Sequence, residues 1–274
     1  MAIVSCEPLA ELRTMSRNVR RWILEQSFKA GVGHIGSSLS VAEILTVLWG
    51  KTMFRPGSDD PRRDRFVLCK GHAALAMYAA MRAVDVIDIE SFESFCQDGS
   101  RFGVHPEFGV PGVEVTTGSL GQGLSVACGL ALGMRMKRLP GRVFAVLSDA
   151  ECNEGQVWEA AQFAAQHRLK QLTIVIDLNG MQALGRTADI LDMSDMAKRW
   201  AAFGWRTVDV DGHDVAALAE AFDAAQSANR PTAVIARTHL GQGVSFMEDR
   251  LEWHYRNLSP DLFAAALAEV EEAS

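Results

Sequence analysis

Residues 145–185 read AVLSDAECNEGQVWEAAQFAAQHRLKQLTIVIDLNGMQALG, and this stretch decides the fold. An apolar run over 143–147 ends just before Asp149, and a helix-like segment follows it. A second apolar run, over 172–176, ends just before Asn179. Two short apolar runs joined by a helix predict a βαβ unit. The carboxyl ends of its strands lie on the same edge of the sheet, so we expect Asp149 and Asn179 to converge.

A carboxylate and an amide at that edge favour a hard divalent cation, Mg2+ or in its place Ca2+ or Mn2+. Such ions take oxygen ligands from side chains and backbone carbonyls, and phosphate oxygens can complete the shell. The pattern therefore predicts a metal–diphosphate site with Asp149 and Asn179 as ligands. In the alternative interpretation, Asp149 caps the next helix and Asn179 sits in an Asn-Gly turn. Asp149 can do both, since a helix N-terminus also favours diphosphate.

The composition limits the class of protein. A chain of 274 residues with 48% hydrophobic content and no repeat or linker favours one domain over 1–274. Acidic residues outnumber basic ones by 34 to 27, which argues against nucleic acid as a partner. No apolar run approaches the length of a membrane span, and the N-terminus lacks a secretory pattern. Five cysteines without paired metal spacing favour reduced thiols in a cytoplasmic protein.

Alternating elements along the chain predict an α/β fold with a mostly parallel sheet and helices on both faces. We predict helices over 8–30, 40–50, 72–81, 121–135, 193–203, 214–228 and 260–272, and further strands over 66–69, 207–210 and 232–236. Ser40 and Glu43 have the spacing of a capping box for the second helix. The Gly-, Pro- and Thr-rich stretch 99–123 predicts a long loop with a function.

Four further stretches extend the pattern. They are GHIGSSLSVAEILTVLW (33–49), DRFVLCKGHAALAMYAAM (64–81), HPEFGVPGVEVTTGSLGQGLSVACGLALGM (105–134) and GQGVSFMEDRLEWH (241–254). Together with 145–185, and in the same order, they resemble the thiamine diphosphate domain of transketolases. The resemblance is closest to the N-terminal, diphosphate-binding subunit of the split bacterial type. It implies the thiamine diphosphate-binding fold and a transferase that moves a two-carbon ketol unit from a ketose or ketose phosphate to an aldose.

The resemblance also implies roles for histidines. Transketolases use a histidine cluster to bind sugar hydroxyls and to shuttle protons, and the matching positions are His34, His72, His105 and His254. Imidazole suits this work because its pKa lies near neutrality and the ring both donates and accepts. A structural role is the alternative for each of them, and we interpret the other three, His167, His213 and His239, as structural.

For the cofactor, the resemblance implies contacts from His72, Gly118, Ser119, Leu120, Asp149, Ala150, Glu154 and Asn179. The backbone carbonyl of Met181 would join Asp149 and Asn179 as a metal ligand. Glu154 would order the cofactor site and link the two active sites of a dimer. Its alternative is an acidic residue favoured at a helix N-terminus by the helix dipole.

The diphosphate motif departs from the family pattern. Transketolases have glycine on both sides of the aspartate, where this chain has Ser148 and Ala150. Alanine keeps the backbone N–H that contacts diphosphate, but it resists a positive φ. If the turn requires a left-handed residue at this position, Ala150 costs roughly 1 kcal/mol and weakens cofactor binding.

Two departures lie elsewhere. The family has proline where this chain has Ser119. It has glycine after the last histidine of the cluster, where this chain has Tyr255 followed by Arg256. Tyr255 and Arg256 bear on the expected substrate pocket rather than on the class of reaction.

A partner is expected on the same grounds. Full-length transketolases continue into a pyrimidine-binding domain, whose carboxylate assists formation of the cofactor carbanion, whereas this sequence stops at Ser274. We expect a C-terminal subunit with that domain, in a heterotetramer with two copies of each chain. Two alternatives stay open: another thiamine diphosphate-dependent ketol or acyl transferase of a specialised sugar or secondary-metabolite pathway, and a cofactor-free paralogue. A dinucleotide-binding protein is disfavoured, because no GxGxxG follows an early strand.

Overall fold

The computed structural model describes residues 9–272. Its strands are β1 (Arg65–Leu68), β2 (Val143–Ser148), β3 (Leu172–Leu178), β4 (Met181–Gln182), β5 (Gly185–Arg186), β6 (Arg206–Asp211) and β7 (Thr232–Arg237). The central sheet is parallel throughout and runs in the order β1–β2–β3–β7–β6, while β4 and β5 form a small antiparallel hairpin.

The helices surround this sheet. They are α1 (Leu9–Ala30), α2 (Ile35–Ser40), α3 (Ala42–Val47), α4 (Ala74–Ala83), α5 (Ile89–Glu93), α6 (Gly123–Met136), α7 (Gly155–Gln166), α8 (Thr187–Ile190), α9 (Met196–Ala202), α10 (Val215–Gln226) and α11 (Pro260–Glu272). A π-helical turn (Leu48–Thr52) follows α3, and three short 3₁₀ helices cover Gly71–Ala73, Ala150–Asn153 and Leu251–His254.

Both faces of the sheet are buried along β2, β3 and β7, because side chains alternate along a strand and both sets are mostly apolar there, whereas the edge strand β6 is half-buried to exposed. Phe144, Val146 and Val175 pack into a core with α1, the α2–α4 region and α10. Their strand neighbours, such as Leu147 and Ile174, pack into a second core with α6, α7 and α9. The predicted class, one α/β domain with a parallel sheet between two helical layers, is confirmed.

The predicted βαβ unit is confirmed in detail. Strands β2 and β3 are parallel neighbours, and Ser148 lies opposite Asp177 at their carboxyl ends. The predicted helices and strands exist within a few residues of the expected bounds, although the second helix is divided into α3 and the π-helical turn. Several short elements were not predicted: α2, α5, α8 and the β4–β5 hairpin.

The predicted capping box at Ser40 and Glu43 is wrong. Ser40 is the last residue of α2, and Val41 precedes α3 without a side-chain cap. The Ser40 hydroxyl donates instead to Asp177, with an Oγ–Oδ1 distance of 2.6 Å. Glu43 is buried and pairs with Arg20 and with His213. Both side chains bond to residues far away in the sequence, and the local spacing of Ser40 and Glu43 cannot reveal such contacts.

Two findings bear on the expected cellular setting. The cysteines among the described residues, Cys69, Cys96, Cys128 and Cys152, are free thiols. Cys6, and Pro8 at the start of the predicted first helix, lie outside the described residues. Within 9–272, no helix is both long enough and apolar enough to span a bilayer.

The layered core predicts a large difference between two Phe→Ala substitutions. Phe144 is fully buried in β2, whereas Phe108 is 74% exposed. Phe144→Ala should lower the free energy of unfolding by about 3–5 kcal/mol, because it leaves a cavity. Phe108→Ala, the matched control, should change it by less than about 1 kcal/mol. Urea unfolding followed by circular dichroism measures both, and equal effects would contradict the assigned core.

Candidate active site

A buried ion pair lies at the carboxyl edge of the sheet. Lys70, two residues after β1, pairs with Asp177 in β3, and their side chains are 1% and 0% exposed. Ser40 and Thr238 donate hydroxyl hydrogen bonds to Asp177 Oδ1, and Asn179 Nδ2 donates to Asp177 Oδ2 over 3.0 Å. A buried charge pair is tolerated only when such bonds satisfy its remaining atoms. The network thereby ties together the ends of β1, β3 and β7 and helix α2.

Asp149 lies beside this network, where β2 ends. Its carboxylate is fully buried and accepts hydrogen bonds from the backbone N–H groups of Ala150 and Gly180, each over 2.8 Å. Burial, followed by the negative charge of Asp177, raises the pKa of Asp149 to about 6. The ends of β2 and β3 therefore meet as expected, and they hold a carboxylate whose charge is only partly compensated.

Asn179 forms the turn that the alternative interpretation describes. Its Oδ1 accepts a hydrogen bond from the Met181 backbone N–H over 3.0 Å, and Gly180 has a φ of 71°. An amide oxygen has two lone pairs, so this turn leaves one of them for a cation. Within residues 9–272, no group of three or more His, Cys, Asp or Glu side chains is arranged to hold a metal. A cation here would depend on one carboxylate, helped by neutral oxygen atoms.

The expected strain at Ala150 does not arise. Ala150 opens the 3₁₀ helix Ala150–Asn153 and is not among the residues with positive φ. Its N–H is occupied by Asp149, which caps that helix. Ser148 replaces the other family glycine and adds a bond, because its Oγ accepts the Glu151 backbone N–H over 3.0 Å. Both departures are compatible with the turn.

Two acidic residues of this turn have different environments. Glu154 is exposed, directly precedes α7 and makes no side-chain capping bond, so it lies at a helix N-terminus, the position that its alternative interpretation describes. Glu151 is fully buried and accepts the Gly121 backbone N–H over 2.8 Å. Burial raises the pKa of Glu151 to about 7. Glu151 was not predicted as a site residue, since its burial and its bond to Gly121 arise from long-range contacts that the local sequence does not reveal.

Three of the four predicted histidines are in ring contact. The centroid distances are 5.3 Å between His34 and His72, 5.8 Å between His34 and His254, and 5.6 Å between His72 and His254. The His34 backbone N–H donates to the His254 carbonyl over 3.1 Å, and His34 has a left-handed φ of 65°. A non-glycine residue in that region is uncommon and often marks a functional site.

These histidines are neutral at physiological pH. Burial lowers the pKa of all three, and that of His254 falls to about 4. The nearby positive charge of Lys70 contributes to each shift. The Nδ1 atoms of His34 and His254 are buried and have no hydrogen-bond partner among the described residues. The cluster therefore offers unused polar ring atoms to a ligand.

His105 lies next to this cluster without ring contact. Its charge would lower the pKa of His34, and its ring lies against Gly118, where an added Cβ would be 3.0 Å from the ring. Gly118 has a φ of 148°, so the position requires glycine for both reasons. Gly118 and Ser119 line a cleft of about 460 Å3 with His105, whereas Leu120 does not line it.

A second cleft, of about 690 Å3, opens at the ends of β2, β3 and β7. Asp149, Asn179 and Gly180 line it, and further residues include Arg237 and His239. His239 was expected to be structural, but it borders this cleft. His213, by contrast, is structural, since its ring lies between Glu43 and the backbone of the segment after β7.

Disruption of the buried ion pair should destabilise the chain strongly. Lys70→Met leaves Asp177 charged and unpaired, at an expected cost of about 3–5 kcal/mol in the free energy of unfolding. Lys198→Ala is the control, because its pair with Asp195 is 79% and 64% exposed and should contribute less than about 1 kcal/mol. Urea unfolding measures both. A Lys70→Met effect no larger than that of the control would show that the pair is not structural.

The low pKa of His254 predicts that the folded chain becomes less stable as the pH falls below neutrality. An unfolded histidine binds its proton near pH 6.5 and the native His254 only near pH 4, so the unfolded state binds more protons in between. Stability is therefore lost as the pH falls through this window, by on the order of 1–2 kcal/mol between pH 7 and pH 5. Asp149 and Glu151 have raised pKa values and oppose this trend.

Two histidine variants separate the contribution of His254 to the pH dependence of stability from that of the other groups. His254→Gln should remove this loss, so its stability relative to the wild type should increase at pH 5. His167→Gln, at an exposed position, should follow the wild type at every pH. Denaturant titrations of the three proteins at several pH values test this, and parallel curves for His254→Gln and the wild type would contradict a neutral, buried His254.

The chain is similar in sequence to known proteins. Residues 13–267 match the family described as "Transketolase, thiamine diphosphate binding domain". The chain is 37% identical to the 6-deoxy-6-sulfo-D-fructose transketolase subunit SqwG of Clostridium sp. (strain MSTE9), with 97% of this chain and 98% of that protein covered. It is 35% identical to one of the subunits of the apulose-4-phosphate transketolase of Phocaeicola vulgatus, over 95% and 94% of the two chains.

The fold agrees with these similarities. The crystal structure of transketolase from Campylobacter jejuni superposes with a TM-score of 0.85 at 25% identity. The superposition covers 96% of this chain and 42% of that one, so the chain spans less than half of a solved transketolase. The chain belongs to the transketolase family and, over almost its whole length, is similar to proteins that are named as transketolase subunits.

Proposed function

We propose that this chain binds the diphosphate of thiamine diphosphate and the sugar substrate in a two-chain transketolase. The observation that carries the proposal is the arrangement at the sheet edge. Asn179 donates to the Asp177 carboxylate of the buried pair, and Asp149 accepts the backbone N–H of the Asn179 turn at Gly180. His72 follows Lys70 by two residues and is in ring contact with His34 and His254. Ligands for a cation and donors for hydroxyl groups are thus held next to each other by one buried network.

The residues present fit the cofactor. Asp149 is buried with a raised pKa, so a divalent cation beside it would relieve its uncompensated charge. Asp177 is already paired with Lys70, which leaves Asp149 as the charged ligand. Asn179 and the backbone carbonyl of Met181 would complete the protein ligands of Mg2+ (or of Ca2+ or Mn2+), and diphosphate oxygens the shell. Glycine at 118 allows close approach of the backbone to the cofactor.

When bound, thiamine diphosphate supplies the carbanion chemistry that breaks and forms the carbon–carbon bond. The chain itself supplies position and proton handling. Each neutral ring of His34, His72 and His254 carries one N–H donor and one acceptor, so it can bind a sugar hydroxyl or take its proton. His105, next to Gly118, would contact the same ligand from the loop side.

A second subunit would complete the site. The two relatives above are both named as subunits. Near the Asn179 turn, Leu184, Ile190 and Leu191 are 74%, 45% and 54% exposed. A group of exposed apolar side chains beside a site favours a covering partner. We propose that this partner carries the pyrimidine-binding domain, that two copies of each chain form a cytoplasmic heterotetramer, and that the exposed Glu154 faces the assembly interface.

Two classes of ketose are candidate donors. The two relatives are named for different ketoses, a sulfonated deoxyfructose and apulose 4-phosphate. This difference favours a specialised sugar as the second candidate donor, beside the sugar phosphates of general carbohydrate metabolism. Product analysis with a panel of ketose phosphates and sulfonated ketoses distinguishes the two.

Cofactor binding tests the proposal directly. Titration calorimetry of thiamine diphosphate with Mg2+ into the complex of this chain and its partner should show binding that the chain alone shows weakly or not at all. Asp149→Ala should weaken binding at least about 100-fold, by loss of the charged metal ligand. Asp192→Ala is the control. Asp192 lines the same cleft, but it is exposed and its carboxylate already accepts the Ser194 backbone N–H. Folded wild-type complex without binding would support a cofactor-free paralogue instead.

A further inference from the structure

Tyr255 has an unusual place beside the histidine cluster. It directly follows the 3₁₀ helix Leu251–His254, and its ring centroid lies 5.1 Å from that of His34 and 4.9 Å from that of His254. His254 is buried and His34 is half-buried, whereas Tyr255 is 60% exposed. The tyrosine ring therefore extends the histidine surface outward to the solvent-facing side of the site.

The fold does not require this side chain. Tyr255 has a φ of −133° and a ψ of −14°, a conformation open to most residues. Its phenol hydroxyl has no hydrogen-bond partner among residues 9–272, and its ring contacts there are with the two histidines. A large aromatic side chain that contributes little to the core is available for a ligand.

The backbone at Tyr255 is nevertheless held firmly. An added Cβ at Gly33 would lie 2.6 Å from the Tyr255 carbonyl oxygen, so the two segments are packed as closely as glycine allows. The Tyr255 N–H donates to the Glu252 carbonyl over 3.2 Å, and the neighbouring His254 carbonyl accepts from His34. The ring thus projects from a fixed point, and little conformational freedom is lost when a ligand contacts it.

We propose that Tyr255 determines which sugars the site accepts, an inference that rests on the proposed function. The histidines contact the part of the sugar next to the reacting carbonyl. The tyrosine ring contacts the carbon chain beyond it, through its apolar face, and its hydroxyl bonds a sugar hydroxyl. The site therefore prefers aldoses long enough to contact both the histidines and the Tyr255 ring, whose centroid lies 5.1 Å from that of His34 and 4.9 Å from that of His254, over a two-carbon aldehyde that contacts the histidines alone.

The test uses the reconstituted two-chain enzyme with thiamine diphosphate and Mg2+. We would measure kcat/KM for glycolaldehyde, erythrose and ribose as acceptors in the wild type and in Tyr255→Ala and Tyr255→Phe. Tyr255→Ala should lower the ratio of kcat/KM for the longer aldoses to that for glycolaldehyde by about tenfold, as expected for a lost pocket contact. Tyr255→Phe, which removes only the hydroxyl, should lower it by a smaller factor. Met136→Ala is the control, because Met136 is 76% exposed at the end of α6.

A second readout does not depend on turnover. The dissociation constant of ribose, measured by calorimetry without a donor, should increase in Tyr255→Ala by about the same factor, while that of thiamine diphosphate stays within twofold. An unchanged acceptor ratio and an unchanged ribose affinity in Tyr255→Ala would overturn the role of Tyr255 alone. A wild-type complex that binds the cofactor but transfers no ketol unit to any acceptor would overturn the proposed function itself.

Discussion

The buried pair of Lys70 and Asp177 is the constraint on which the rest of the site depends. Two charges at the centre of a parallel sheet edge are stable only if every remaining donor and acceptor is satisfied. Hydroxyls from Ser40 and Thr238 and the amide of Asn179 meet that requirement. Each belongs to a different segment, so the requirement for full hydrogen bonding at one point fixes the relative positions of the loops that follow three strands.

The charges of the same pair act on both the histidines and Asp149. The Lys70 charge lowers the pKa of the three clustered histidines, which burial already keeps neutral. At Asp149, burial and then the Asp177 charge raise the pKa, and the Lys70 charge opposes them with a smaller effect. One half of the site therefore suits neutral hydroxyl groups, and the other half suits a cation. A cofactor that brings a metal-bound diphosphate to one half and a reactive ring to the other matches this division.

The sequence predicted those elements of the fold and the site that short stretches of residues specify. Apolar runs of strand length predicted β2 and β3. Because parallel neighbouring strands end at the same edge of the sheet, they also predicted that Asp149 lies next to the Asn179 turn. The parts that the sequence could not predict depend on burial and long-range contact. Ser40 has the spacing of a helix cap, yet it bonds across the fold to Asp177, and the burial of Glu151 and its bond to Gly121 likewise arise from long-range contacts. The conformational cost expected at Ala150 is absent, because the turn is a right-handed 3₁₀ helix and does not require a positive φ there.

The most direct test of the account is a crystal structure of the two-chain complex with thiamine diphosphate and Mn2+, with the ion located by its anomalous scattering. The account predicts one peak at about 2.1–2.3 Å from the Asp149 carboxylate and the Asn179 amide oxygen, with the diphosphate bound to the same ion. It also predicts the reactive end of the cofactor on the side of His34, His72 and His254. An ion elsewhere, or a diphosphate remote from the β2 and β3 ends, would contradict it.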